Sequence, residues 1–194
     1  MAELRRDDLD ADPLRQFHRW FEEAGEVVSA PEKVALATAT AAGAPSVRMV
    51  LMKEANEDGL VFFTHTTSRK GVELAENPRA AMLFYWEPLG RQVRIEGAVA
   101  EIDAEESDAY FDTRPLGARI GANVSRQSRP LGSRAALEQL VAQFESDPSR
   151  PATWGGYRLR PDAWEFWQHR DDRLHDRFRY TSQGDTWLIE RLFP

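Results

Sequence analysis

The 194-residue sequence predicts a mainly β, α+β protein: a closed or partly closed antiparallel barrel flanked by helices. It reads as one domain over 1–194, with 1–12 as a short N-terminal arm. Three observations carry this. Strand-like runs are short and numerous. Turn signals of hairpin length separate many of them, which makes sequence neighbours antiparallel. Only a few segments show helical spacing, and the length suits a single domain with a real core.

Asp12-Pro13 joins a helix N-cap to proline at the first helical position. Leu14, Phe17, Phe21 and Ala24 follow at helical spacing, to a stop near Gly25. Strands are expected over 33–38, 46–53 and 60–64, separated by the turn signals Ala42-Gly43-Ala44-Pro45 and Asn56-Glu57-Asp58-Gly59. Thr67 or Ser68 can cap a short helix that ends at Asn77-Pro78. Two more strands follow over 79–86 and 92–102; in the second, Val93, Ile95 and Val99 alternate with polar neighbours. Residues 104–113 and 133–144 read as helices. The chain then returns to strands over 156–159, 164–168, 174–180 and 186–192.

Composition narrows the function. The formal net charge of −7 argues against a nucleic-acid partner, which would want a basic stripe. It also makes any clustered arginines candidates for a local anion site, because the global field does not favour anions. No apolar stretch is long enough to span a bilayer, and residues 1–12 show no basic, apolar leader. The chain has no cysteine, so disulfides, thiolate metal sites and a cysteine nucleophile are all excluded. The expected compartment is the cytoplasm. The four histidines lack metal-ligand spacing, and neither GxSxG, a P-loop nor GxGxxG occurs.

Four segments carry candidate chemistry. In the first, Trp164-Glu165-Phe166-Trp167-Gln168 precedes Arg173-Leu174-His175-Asp176-Arg177-Phe178. If residues 173–178 are extended, Arg173, His175 and Arg177 share one face, while Leu174 and Phe178 point into a core. Such a cationic face suits a phosphate-bearing ligand; the alternative is a solvated edge strand whose arginines pair with Asp171, Asp172 and Asp176. In the second, Thr66-Thr67-Ser68-Arg69-Lys70-Gly71 brings hydroxyls, two cations and a helix start together, which suits phosphate or an ordinary N-cap. The third, Arg48-Met49-Val50-Leu51-Met52-Lys53, is an apolar strand whose two cations face opposite sides. The fourth places Tyr110 and Arg114 four apart on one helical face, either as a phosphate grip or as a surface pair. Gln127-Ser128 in a loop is a weaker fifth signal.

Taken in order, these segments resemble the pyridoxine/pyridoxamine 5′-phosphate oxidase family, along almost the whole chain from Asp12-Pro13-Leu14 to Leu192-Phe193-Pro194. The most specific piece is Glu165-Phe166-Trp167-Gln168, four spacer residues, then Arg173-Leu174-His175-Asp176-Arg177. The resemblance implies an FMN-binding split β-barrel that forms a homodimer with FMN at the subunit interface. It implies that Arg48, Met49, Val50, Leu51, Met52, Lys53, Phe63, Thr64, Arg69, Lys70, Gln92, Gln127, Ser128, Trp167 and Arg177 contact FMN. It further implies that Lys53, Tyr110, Arg114, Arg173 and His175 contact the substrate, with Arg173 and His175 in the catalytic role. The implied substrate is a small phosphorylated pyridine, oxidised to pyridoxal 5′-phosphate with dioxygen as acceptor and hydrogen peroxide released.

Three departures from the family pattern stand out: Ala118 where a serine is usual, Phe63 where a tyrosine is common, and His65 where asparagine is usual. They keep open a branch of the family that oxidises reduced, carboxylated phenazine precursors. A flavin-binding module with little turnover is a further alternative.

Overall fold

The computed structural model describes residues 3–144 and 148–194. Helix α1 (Pro13–Val27) opens as its sequence dictates, with the Asp12 carboxylate accepting from the Leu14 amide at 2.9 Å. It runs two residues past Gly25, to Val27, while its buried stripe of Phe17, Trp20 and Ala24 faces the sheet. Strands β1 (Lys33–Ala39), β2 (Pro45–Leu51), β3 (Glu54–Asn56) and β4 (Gly59–His65) lead to α2 (Arg69–Glu76), β5 (Arg79–Trp86) and β6 (Arg91–Glu101). Helices α3 (Ala104–Asp112), α4 (Leu116–Val124) and α5 (Arg134–Ala142) follow, then β7 (Trp154–Gln168), β8 (Asp176–Gln183) and β9 (Thr186–Arg191).

Among the described residues, all nine strands belong to one sheet and every pairing is antiparallel. The main path runs β2-β1-β5-β6-β7-β4-β3. Its two ends, β2 and β3, are separated in the chain only by Met52 and Lys53, so the sheet must curl back on itself. The Met52 amide donates to the Glu32 carbonyl at 3.0 Å and the Lys53 amide to the Val61 carbonyl at 2.8 Å, which ties the bend to both sides.

The long strand β7 makes this barrel split. One of its edges pairs with β6 along nearly its whole length. The other edge pairs with β4 over Trp154–Leu159 and then with β8 over Ala163–Gln168. The sequence predicts two strands here, interrupted at Pro161. The chain instead stays extended through the proline, because a register shift at Glu96/Gly97 absorbs it. The Arg160 carbonyl lies 1.9 Å from where a Cβ on Gly97 would stand, so only glycine fits.

The core lies between α1 and the curled sheet. Phe17 packs against Phe84 at 5.1 Å between ring centroids and against Trp164 at 5.6 Å, and Trp20 meets Phe166 edge-on at 5.3 Å. The arm is docked: Leu4 and Leu9 are buried in the core. The Leu4 amide donates to Asp176 Oδ2 at 3.0 Å, and Tyr180 Oη donates to the Asp10 carbonyl at 2.8 Å. Among the described residues no helix is long and apolar enough to cross a membrane.

Two further expectations need correction. Helix α4 was not foreseen, because Gly117 and Gly121 interrupt its apolar pattern and each weakens helical propensity by about 1 kcal/mol. Residues 173–175 are not strand: β8 begins at Asp176, and Arg173 adopts a left-handed turn with φ 67°. Leu174 is therefore 66% exposed, not in the core, and Arg173, His175 and Arg177 do not share a strand face.

Substituting Gly97→Ala should lower unfolding stability by more than about 2 kcal/mol through backbone overlap. Gly117→Ala, where a Cβ meets nothing within 4 Å, should instead raise it by about 0.5 kcal/mol. Denaturant unfolding of both variants checks the pair.

Candidate active site

One cluster gathers where β2, β4 and α2 meet. Ser68 caps α2, accepting from the Gly71 amide, and this turns Lys70 inward. Its ammonium is buried and donates to Gln127 Oε1 at 2.8 Å, Thr64 Oγ1 at 3.0 Å and Ser68 Oγ at 3.3 Å. All three acceptors are neutral. Thr64 also donates to Gln127, and the Arg69 amide donates to Ser128 Oγ at 3.1 Å, with Ser128 itself at φ 72°. Arg69, Lys70, Gln127 and Ser128 line an open cleft of about 440 Å³ that also takes in Ser46, Arg48 and Met49.

Arg48 is fixed by four contacts. Its guanidinium donates to the Leu36 carbonyl at 3.1 Å, Thr38 Oγ1 at 2.6 Å, Ser46 Oγ, and Glu73 Oε2 at 3.3 Å. Glu73 is buried at 2% exposure and also accepts from Thr38, Ser46 and the Arg69 Nε, the last at 2.8 Å. Burial alone would push its carboxyl up; hydrogen bonds from Ser46, Thr38 and Arg69 outweigh that and bring its pKa down to about 2. Lys70 moves the other way from its ordinary value. Burial and the Arg48 charge lower its pKa to about 8, against a smaller lift from Glu73. Burial likewise lowers Arg48. An inward-facing ammonium beside two guanidiniums has the chemistry of an anion site.

A second cluster stands on the neighbouring helices. Phe63 stacks on Tyr110 at 4.0 Å and on Trp154 at 5.2 Å. The Arg114 guanidinium lies 4.7 Å from the Trp154 ring centroid, and its Nη1 is buried with no hydrogen-bond acceptor among the described residues. Burial lowers its pKa. Tyr110 and Arg114 thus converge on one aromatic wall, and they are not a solvated surface pair. His65 is buried nearby, 3.3 Å from Thr153 Oγ1; burial first, then the charges of Lys70 and Arg114, hold its pKa below the usual value.

A third group occupies the far end of β7. His175 packs on Trp167 at 4.7 Å between centroids and on His169 at 5.2 Å. The Arg170 amide donates to His175 Nδ1 at 3.1 Å, so the neutral ring carries its proton on Nε2. Gln92 pairs with Trp167 across the ladder. Arg177 donates to Glu165 at 2.8 Å and to the Phe193 carbonyl at 3.0 Å; the Glu165 bond raises its pKa. Arg173 is exposed, as is Lys53, and neither makes a side-chain hydrogen bond or ion pair among the described residues.

The structure brings some expected residues together and separates others. Arg48, Arg69, Lys70, Gln127 and Ser128 form one cleft, with Thr64 hydrogen-bonded to Lys70 and Gln127; Phe63, Tyr110 and Arg114 form one wall. Trp167, Arg173 and His175 stand apart from both. Trp154 and Trp167 lie at opposite ends of β7, roughly 40 Å apart along the strand contour. Within β2, Arg48 and Val50 face inward while Met49 and Leu51 are exposed, and Met52 is buried beyond the strand end.

Residues 21–146 match the family described as pyridoxamine 5′-phosphate oxidase, and residues 154–194 match the pyridoxine 5′-phosphate oxidase C-terminal dimerisation region. The chain belongs to the pyridoxine/pyridoxamine 5′-phosphate oxidase family. A pyridoxine/pyridoxamine 5′-phosphate oxidase from Paraburkholderia phymatum is 54% identical over 200 residues, covering all of this chain and 94% of that protein. One from Bordetella pertussis is 52% identical over 197 residues, covering 98% and 93%. Among solved structures, PhzG from Burkholderia lata 383 in complex with tetrahydrophenazine-1-carboxylic acid superposes with a TM-score of 0.93 at 35% identity, over 99% of this chain and 98% of that one. An FMN-binding, pyridoxamine 5′-phosphate oxidase-related protein from Nostoc punctiforme shares the fold, with a TM-score of 0.78 at 19% identity.

Against this oxidase background, the main omission from the sequence reading is Glu73. Its signal is present in the sequence as the i,i+4 spacing from Arg69, but only the fold adds Thr38, Ser46 and Arg48. Two larger clefts, about 570 and 600 Å³, open beside the arm and hold none of the expected site residues.

The Lys70 value gives a signed prediction. An anion bound in the cleft raises the Lys70 pKa above its free value of about 8, so binding between the two values takes up a proton. Affinity for a phosphomonoester, already a dianion above a second pKa of about 6, should fall as pH rises above about 8. Calorimetry at pH 8.5 in two buffers of different ionisation enthalpy should show proton uptake. Affinity that stays flat from pH 7.5 to 9.5 would remove Lys70 from the site.

Proposed function

We propose that this chain is an FMN-dependent oxidase converting pyridoxamine 5′-phosphate or pyridoxine 5′-phosphate to pyridoxal 5′-phosphate. Dioxygen is the acceptor and hydrogen peroxide the product. One observation carries the reading: two separate cationic sites, each suited to a phosphate, flank the same β4 strand. The first is the Lys70 cleft, where a buried ammonium meets only neutral oxygens and Arg69 commits one nitrogen to Glu73, leaving its terminal nitrogens free. That donor set fits the FMN phosphate, with Arg48, Thr64, Gln127 and Ser128 completing it. The second is Arg114 with its buried, acceptor-less Nη1 beside Tyr110, which fits the phosphate of the substrate. Lys53, exposed at the β2–β3 bend, supplies a further cation for that phosphate.

Bound FMN would supply the two-electron acceptor, taking a hydride equivalent from the substrate and returning the electrons to dioxygen. The protein's part is to hold and orient. Arg114, Tyr110 and Lys53 grip the phosphate end of the pyridine. Arg173 and His175 address its ring, with His175 Nε2–H as donor and Arg173 as fixed charge. For the amine, water hydrolyses the imine left after oxidation, so pyridoxamine phosphate, dioxygen and water give pyridoxal phosphate, ammonia and hydrogen peroxide.

We take Arg173 and His175 to reach this site from a second copy of the chain, given their separation from it along β7. We infer a homodimer for that reason. The exposed face of β2, β1 and β5 supports it: Val47, Met49, Leu51, Leu83 and Tyr85 form an apolar stripe that the registers Ala35↔Met49 and Ala35↔Leu83 make continuous. Gln92 and Trp167 then contact FMN from the opposite copy. We place the enzyme in the cytoplasm.

One observation favours a second reading. The PhzG structure at TM-score 0.93 holds a tetrahydrophenazine carboxylate, and Ala118 offers no hydroxyl to a phosphate. Oxygen consumption by purified flavoprotein decides between them: uptake with pyridoxamine phosphate supports the main reading, and uptake with a reduced phenazine carboxylate alone supports the second. Arg173→Ala should cost about 2–3 kcal/mol in kcat/KM while FMN stays bound. Loss of FMN with unchanged turnover per bound flavin would take Arg173 out of the substrate's reach.

A further inference from the structure

A buried carboxylate inside an anion site is a physical puzzle, because it competes with the ligand for the same cations. Glu73 is that carboxylate. Both of its oxygens are engaged: Oε1 accepts from Arg69 Nε, and Oε2 accepts from Thr38, Ser46 and Arg48. Neither oxygen is turned to the cleft, and Glu73 does not line it. It stands behind the guanidiniums, on the side away from the ligand space.

We propose that Glu73 is a positioning residue for phosphate recognition: it holds the Arg48 and Arg69 guanidiniums in one orientation and sets the net charge of the cleft to balance that of a phosphomonoester dianion. This rests on the reading of the Lys70 cleft as the FMN phosphate site. Arg48, Arg69 and Lys70 carry three positive charges and Glu73 one negative, which leaves a net charge of +2 facing a ligand of about −2. Without Glu73, three like charges crowd one wall with no counter-charge behind them. Arg69 loses the contact that points its terminal nitrogens at the cleft, since its amide alone is tied, to Ser128.

Lys70 feels the loss as well. The groups acting on it are Arg48 from β2 and Glu73 from α2, and the buried His65 of β4 faces it. Glu73 is the one that favours the ammonium. Removing it drives the Lys70 pKa further down, so the free enzyme loses this cation at a lower pH. Orientation and protonation both weaken phosphate binding, and together they outweigh the extra formal charge that the substitution exposes.

The test measures FMN and riboflavin affinity in parallel by fluorescence quenching, since riboflavin lacks the phosphate. In the native protein FMN should bind far more tightly than riboflavin. Glu73→Gln should cut the FMN-to-riboflavin affinity ratio by about tenfold or more, the loss expected for a charge-assisted contact. It should also move the alkaline midpoint of FMN binding to lower pH, with riboflavin affinity unchanged. Glu73→Asp keeps the charge and shortens the reach, so it should lose part of the ratio and keep the native midpoint; it also serves if the Gln variant does not fold. Equal loss of FMN and riboflavin affinity, or a ratio that rises, overturns the proposal. So does an Asp variant whose midpoint shifts as far as that of Gln. A native ratio near one would instead overturn the underlying assignment of the cleft.

Discussion

Strand β7 governs the geometry of this protein. Its fifteen residues run unbroken through Pro161, held to β6 on one edge and shared between β4 and β8 on the other. A proline removes a ladder donor and normally restricts a strand to an edge. Here the register shift opposite it, made possible by the missing Cβ of Gly97, lets the strand continue. Because β7 is continuous, Trp154 at its start and Trp167 at its end are held at a fixed separation. Each end organises one chemical cluster: Phe63, Tyr110 and Arg114 around Trp154, His175 around Trp167.

Electrostatics at the other cluster follow a different logic. Three cations in an acidic protein are held together by one buried carboxylate and a set of neutral hydroxyls and amides. The energetic consequence is uneven. Arg48 has most of its donors satisfied within the protein, whereas Arg69 keeps its terminal nitrogens free and Lys70 is depressed enough to titrate near physiological pH. Recognition therefore depends on the least committed cations, while the most committed one stiffens the wall.

Much of this was legible in the sequence. Asp12-Pro13, the hairpin signals and the alternation in β6 gave the right elements, because each rests on local backbone chemistry. Family resemblance pointed to Arg48, Lys70, Tyr110 and Arg114, and the fold sets them on two adjacent cationic patches. What the sequence hid was non-local. Continuity through Pro161 needed knowledge of Gly97 more than sixty residues earlier. The left-handed turn at Arg173 broke the alternation that would have put Leu174 in the core. Glu73 shows in the sequence only as an i,i+4 spacing from Arg69, since its other contacts come from β1 and β2.

The docked arm ties the two ends of the chain to one side chain. Asp176 accepts from the Leu4 amide through Oδ2 and from Arg191 through Oδ1, while Arg191 in turn donates to the Leu4 carbonyl at 3.1 Å. Asp176 directly follows His175. The backbone thus closes into a near-loop whose clasp is the residue next to the imidazole in the chain, so loosening either terminus loosens the anchor adjoining that ring.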